Sequence, residues 1–166
     1  MDTIELAKLM LAWEPVGASG SFSSVFSDGH IGERGTYLFL DMRRWAVRVE
    51  GAATLWSTGG VQHVKDAGGT SSGTTAELPQ RPPWSLLIPR LAVIYGRPGD
   101  DWTLDEVCAT AESTVEASLS SGVAKGHVVV DLSERCIVEL ATPAWTASAH
   151  PGLALADRRL LERLLV

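Results

Sequence analysis

Between Thr36 and Lys65 four runs of alternating apolar residues follow one another almost without interruption, and few folds can accommodate that. The runs cover residues 36–42, 45–50, 53–57 and 61–65, joined by Arg43-Arg44, Glu50-Gly51-Ala52 and Thr58-Gly59-Gly60. Connections this short make neighbouring runs hairpin partners, with glycine supplying the positive φ values of tight turns. The expected result is an antiparallel meander. In its second run Trp45, Val47 and Val49 point one way and Ala46, Arg48 and Glu50 the other, so one face is expected to be apolar and the other solvated.

The segments around this meander extend it. Residues 3–13 suit a helix capped by Thr3, with Leu6, Leu9, Met10 and Trp13 on one side and Pro15 and Gly17 ending it. Residues 21–26, with Phe22, Ser24 and Phe26 on one face, read as a further strand before the turn Ser27-Asp28-Gly29, giving a five-stranded first half. Residues 66–83 are rich in Gly, Ser, Thr and Pro and read as a long flexible loop or lid. No GxxxxGK[ST] occurs there, so the glycines do not indicate a phosphate cradle.

Residues 84–95 form the most apolar stretch. Pro83 and Pro89 fit the first turns of one or two short helices, and Gly96 and Pro98 stop them. Being apolar on nearly all sides, this segment belongs inside. Thr103-Leu104-Asp105-Glu106 matches a capping box and predicts a short helix or turn to about Thr110, followed by a strand over 114–120. A hairpin over 126–140, rich in β-branched residues, comes next. The chain closes with a helix over 153–165, whose apolar face is Leu153, Leu160, Leu161, Leu164 and Leu165. That helix is expected to dock on its own domain, the alternative being a homodimer contact.

The 166 residues suit a single domain with a core that needs neither metal nor disulfide. A formal charge of −6 and scattered basic residues argue against nucleic acid as a partner. No stretch approaches a transmembrane span. The first residues, Met1-Asp2-Thr3-Ile4-Glu5, lack the basic and apolar regions of an export signal, so the chain as written reads as cytoplasmic, or as exported if it is a trimmed form. Cys108 and Cys136 stand alone, without the ligand spacing of a zinc site. His30, His63, His127 and His150 show no metal-binding spacing either, and no cofactor is expected. Asp100, Asp101, Asp105 and Glu106 read as a polar turn and the acidic first turn of a helix.

Without a catalytic signature, the aromatic residues carry the functional reading. Six Trp are many for this length, and large aromatics fill a core or line an apolar pocket. Trp45, Trp56, Trp84, Leu87, Leu91 and Tyr95 are the residues expected to line such a pocket.

The order of elements resembles a known family. A helix, then Gly20-Ser21-Phe22 with Phe26 four residues on, then Gly35-Thr36-Tyr37-Leu38-Phe39, Arg43-Arg44-Trp45-Ala46-Val47-Arg48-Val49-Glu50 and a short strand before Gly59-Gly60-Val61, is similar to the lipoprotein carriers (LolA-like) and their lipid-binding relatives of the LppX type. The resemblance implies a half-open barrel, closed by helices, that shelters acyl chains. It covers about Ser21 to Leu140, and this chain differs in its leucine-rich C-terminal helix and in lacking a signal or lipobox cysteine.

The expectation is therefore an α+β fold: a strongly curved antiparallel sheet with an N-terminal helix, a central apolar helical segment and a C-terminal helix. Its function would be non-catalytic binding of a hydrophobic small molecule or lipid. The alternatives are a protein-interaction or regulatory module using the concave face or the C-terminal helix, and a small cystatin-like α+β enzyme.

Overall fold

A computed structural model describes residues 1–73 and, from Trp84, the rest of the chain to Val166. Helix α1 (Thr3–Ala12) precedes six strands, β1 (Ser19–Phe26), β2 (Ile31–Asp41), β3 (Arg44–Val49), β4 (Thr54–Thr58), β5 (Val61–Asp66) and β6 (Gly69–Gly73). Two 3-10 turns, Trp84–Leu87 and Pro89–Leu91, lead to β7 (Thr103–Thr110), β8 (Thr114–Ser121), β9 (Ala124–Asp131), β10 (Cys136–Ala141), β11 (Trp145–Pro151) and helix α2 (Leu155–Glu162). All eleven strands form one antiparallel sheet in the order β6-β5-β4-β3-β2-β1-β11-β10-β9-β8-β7. It is two meanders joined where β1 pairs with β11, and it is not closed: β6 and β7 are its edges.

The meander expected over 36–65 is present. Its tightest turn places Gly59 at φ 59° and Gly60 at φ 89° between the partners Thr58 and Val61, the two positive φ values of a two-residue hairpin loop. The first half has one strand more than expected. Asp66 Oδ1 accepts the Gly68 N–H at 2.7 Å, the chain turns, and Gly69–Gly73 adds β6 along β5. Every residue of β6 is exposed, so backbone pairing forms the strand and no apolar alternation marks it. The expected loop over 66–83 is corrected in that part; residues 74–83 lie outside the described residues.

The helix expected from Thr103 is a strand. Two bulges in β7, between Leu104 and Glu106 and between Val107 and Ala109, break the two-residue alternation. Leu104 and Val107 both pack on the core three residues apart, a spacing that imitates a helix. The Asp105 carboxylate accepts from Lys125 on β9 at 2.8 Å and caps nothing. Strand β11 had no counterpart in the sequence reading, because its only fully buried residues are Ala147 and Ala149.

Instead of a central apolar helix there are two single 3-10 turns. Pro89 has no N–H to donate and forces its predecessor out of the helical region; Ile88 sits at φ −123°, ψ 86°. The segment is nevertheless internal, as expected: Leu86, Leu87, Ile88 and Ile94 are all buried. At the N-terminus the capping residue is Asp2, not Thr3. Its Oδ1 accepts the Glu5 N–H at 2.8 Å while Glu5 Oε2 accepts the Asp2 N–H at 3.0 Å.

Alternation along β2 separates two apolar layers. Tyr37 and Phe39 join the main core with Leu6 and Met10 of α1, the 3-10 turns, and inward residues of β8 to β11 such as Leu119, Val130 and Ile137. Leu38 and Ala46 point the opposite way, where Leu161 of α2 covers them. The face expected to be solvated is thus partly roofed by α2, which docks on its own sheet.

Candidate functional site

A cavity of about 650 Å³ lies on the α1 side of the sheet. One wall is the chain leaving α1, where Trp13 is buried and Pro15 prevents the helix from continuing. Facing it is the β9–β10 corner, Ser133 to Cys136. Tyr37 of β2 and Leu87 of the first 3-10 turn, both buried, also line the cavity.

Asp131 builds the corner. Its Oδ1 accepts the Ser133 N–H at 2.8 Å, the Ser133 hydroxyl at 2.6 Å and the Glu134 N–H at 2.9 Å. Burial alone would raise this carboxyl, but those bonds outweigh it and hold the group below the usual aspartate range. Arg135 then adopts φ 55°, the one non-glycine positive φ among the described residues, and delivers Cys136 inward. Burial, with the nearby Asp131 and Glu134 carboxylates, pushes the Cys136 thiol up to about 12. It therefore stays protonated at neutral pH and is no nucleophile.

Tyr37 reaches the same cavity from the neighbouring layer. Burial raises its phenol pKa, and Cys136 and Glu134 add to the shift. The ring lies so close to Gly20 of β1 that an added methyl there would overlap both Tyr37 Oη and the His150 carbonyl oxygen. Glycine at position 20 is thus what allows the hydroxyl its place.

A scan against protein-family models matches none, and a comparison with curated proteins finds no relative. Local chemistry must carry the functional reading.

The six residues expected to line one pocket are dispersed. Leu87 alone lines the large cavity. Trp45 is packed in the core, stacked on Phe39 with centroids 6.1 Å apart. Trp56, one residue out of phase with its inward neighbours, points to the α2 side and stacks on His63 at 5.0 Å. Leu91 is half-buried against the core. Tyr95 lines a separate cavity of about 220 Å³ between α1 and β7, where its hydroxyl donates to the Pro89 carbonyl at 2.5 Å and the Arg97 guanidinium lies 4.8 Å above its ring. The Trp84 side chain lies outside the described residues. Sequence reasoning missed Trp13, Tyr37 and the Ser133–Cys136 corner as site residues. Only the inward alternation of Tyr37 with Phe39 signalled any of them.

Other ionisable groups are engaged away from the cavity. Asp100 Oδ2 accepts the Tyr95 N–H at 3.0 Å, the Arg97 N–H at 3.1 Å and Arg97 Nε at 3.0 Å, which makes it a brace for the loop before β7. His63 Nδ1 lies 2.7 Å from Ser72 Oγ. On the outward face of the second meander His127 Nε2 is 2.7 Å from Glu139 Oε1, and Ser118 is the cross-strand partner of His127. That trio falls short of a nucleophilic triad: the Ser118 hydroxyl donates to the Glu106 carbonyl at 3.4 Å, and His127 and Glu139 are open to solvent. Among the described residues no group of three or more His, Cys, Asp or Glu is placed to hold a metal, and no helix is long and apolar enough to cross a membrane.

Proposed function

We propose that this protein is a non-catalytic binding protein that holds a hydrophobic ligand, such as an acyl chain or lipid, in a half-barrel formed by its open sheet. The observation that carries the reading is the cavity of about 650 Å³, in which Trp13, Tyr37, Leu87 and Cys136 share the lining with the polar Glu14, Ser133, Glu134 and Arg135. Its volume falls within the roughly 300–1,000 Å³ of small-molecule sites. Curvature is supported by the extent of the core. One contiguous cluster includes Trp45 of β3 and Leu104 of β7, which are seven strand spacings apart in the sheet. Laid flat, seven spacings would measure about 34 Å. The ten-residue helix α1 over them is only about 15 Å long, so a shared core favours a sheet that rolls around the helix.

The test is native mass spectrometry of the purified protein with lipid analysis of an organic extract, together with titration by the fluorescent fatty acid cis-parinaric acid. Adducts that disappear on extraction, or saturable uptake at micromolar concentration that Leu87→Asp weakens in folded protein, are expected. A clean mass with no uptake of cis-parinaric acid or its methyl ester would refute the reading.

A further inference from the structure

We infer that the Tyr37 hydroxyl is the polar anchor of the large cavity, and that the ligand presents to it an uncharged oxygen acceptor, an ester or amide carbonyl, attached to an apolar body. The inference rests on the cavity being the ligand site.

Tyr37 is 2% exposed and lines the cavity. Among the described residues its hydroxyl has no hydrogen-bond partner, whereas the Tyr95 hydroxyl is bonded to the Pro89 carbonyl. The hydroxyl is not among the fully enclosed side-chain atoms that lack a partner, so it stays accessible from the cavity it lines, where water or a ligand can accept its hydrogen bond. The chain has accommodated this hydroxyl with care: it passes over Gly20, where any side chain would collide with it. Phenylalanine would fill the same place but offer a ligand no donor. The arrangement therefore suits a site in which the missing acceptor arrives with the ligand.

The charge of that acceptor follows from what faces the hydroxyl. Glu134 and Cys136 lie close enough to influence Tyr37, and both act against negative charge there. Of the charged residues lining the cavity, Glu14 and Glu134 are carboxylates and Arg135 is the one cation, so carboxylates prevail there. An ionised carboxylate placed beside Tyr37 would be both desolvated and repelled by Glu134. A neutral carbonyl accepts the same hydrogen bond without either penalty. Leu87 and Trp13 then remain to cover apolar carbon.

Three fluorescent probes separate the possibilities: diphenylhexatriene, a hydrocarbon without an acceptor; methyl cis-parinarate, with an ester carbonyl; and cis-parinaric acid. In Tyr37→Phe, with folding checked by thermal melting, the methyl ester is expected to bind about fivefold more weakly, the worth of one neutral hydrogen bond, and diphenylhexatriene is expected to bind unchanged. The wild type should also prefer the ester to the ionised acid. Equal weakening of ester and hydrocarbon would show that the residue only packs, and an unchanged ester affinity would show that it makes no contact; either result overturns the inference while leaving a hydrophobic-ligand site in place. Wild-type protein that takes up none of the three refutes the binding function itself. A second measurement needs no variant: the carbonyl stretch of bound, isotope-labelled methyl ester should lie below that of the ester in hydrocarbon solvent. An unshifted band would overturn the inference even if Tyr37→Phe failed to fold.

Discussion

Replacing Ser57 by alanine should stabilise this protein. Ser57 is fully buried on β4, opposite Trp45 of β3, and among the described residues neither the Ser57 hydroxyl nor Trp45 Nε1 has a hydrogen-bond partner. A serine whose hydroxyl is bonded loses about 1 kcal/mol on becoming alanine, whereas an unsatisfied buried hydroxyl costs about 1–3 kcal/mol that the substitution recovers. Against the gain stands the loss of one oxygen's packing contacts, about 0.1–0.2 kcal/mol apiece. The net expectation is a gain of about 1 kcal/mol, seen as a higher midpoint in urea at unchanged slope and a melting temperature raised by about 2–4 °C. Ser72→Ala, which removes only the exposed contact to His63, serves as the control and should stay within about 0.5 kcal/mol of wild type. A loss of 0.5 kcal/mol or more in Ser57→Ala would refute the reasoning, because it would mean that the hydroxyl is satisfied in solution, for instance by an internal water.

Other substitutions address the remaining features. Leu161→Ala removes the one fully buried residue of α2 and should cost about 2–4 kcal/mol, with hydrogen exchange accelerating first in residues 155–162; protection that persists there would show that the helix is held otherwise. Arg135→Gly should gain about 1 kcal/mol, because φ 55° suits glycine, and a loss on chemical denaturation would contradict that account of the corner. Asp100→Asn should cost about 1–2 kcal/mol at pH 7, a figure reduced for the solvent around the half-exposed Arg97. The Asp100 carboxyl is held low although burial raises it, because its bonds from Arg97 and Tyr95 prevail. Its contribution is therefore present above the unfolded aspartate pKa near 4 and fades as pH falls through the lower folded value. The gap between wild type and Asp100→Asn should close on acidification; a gap constant from pH 7 to pH 2 would refute the assignment.

Much of this architecture was legible in the residues themselves. Short glycine-containing connections and strict alternation specify the hairpins of the first half, since a two-residue turn permits only antiparallel neighbours and a slipped register would turn Trp45 and Val47 to the wrong face. The β-branched runs before and after Asp131 likewise announce β9 and β10. Local patterns failed where backbone pairing or a bulge took over. Strand β6 is wholly exposed, β11 fully buries only alanines, and the bulges of β7 make Leu104 and Val107 resemble a helix. The candidate site was less legible still. Nothing along the sequence brings Trp13, Tyr37, Leu87 and Cys136 together, for they come from four separated segments. The pairing of β1 with β11 unites the two meanders in one sheet, while Gly20 leaves room for a hydroxyl that belongs to the next strand. The sequence alone thus determined most of the hairpin strands and which of their side chains turn inward, because those depend on near neighbours. The joining of the halves, the roofing of the second face by α2 and the cavity with its unpaired phenol were decided by tertiary structure, because each depends on contacts between residues far apart in the chain.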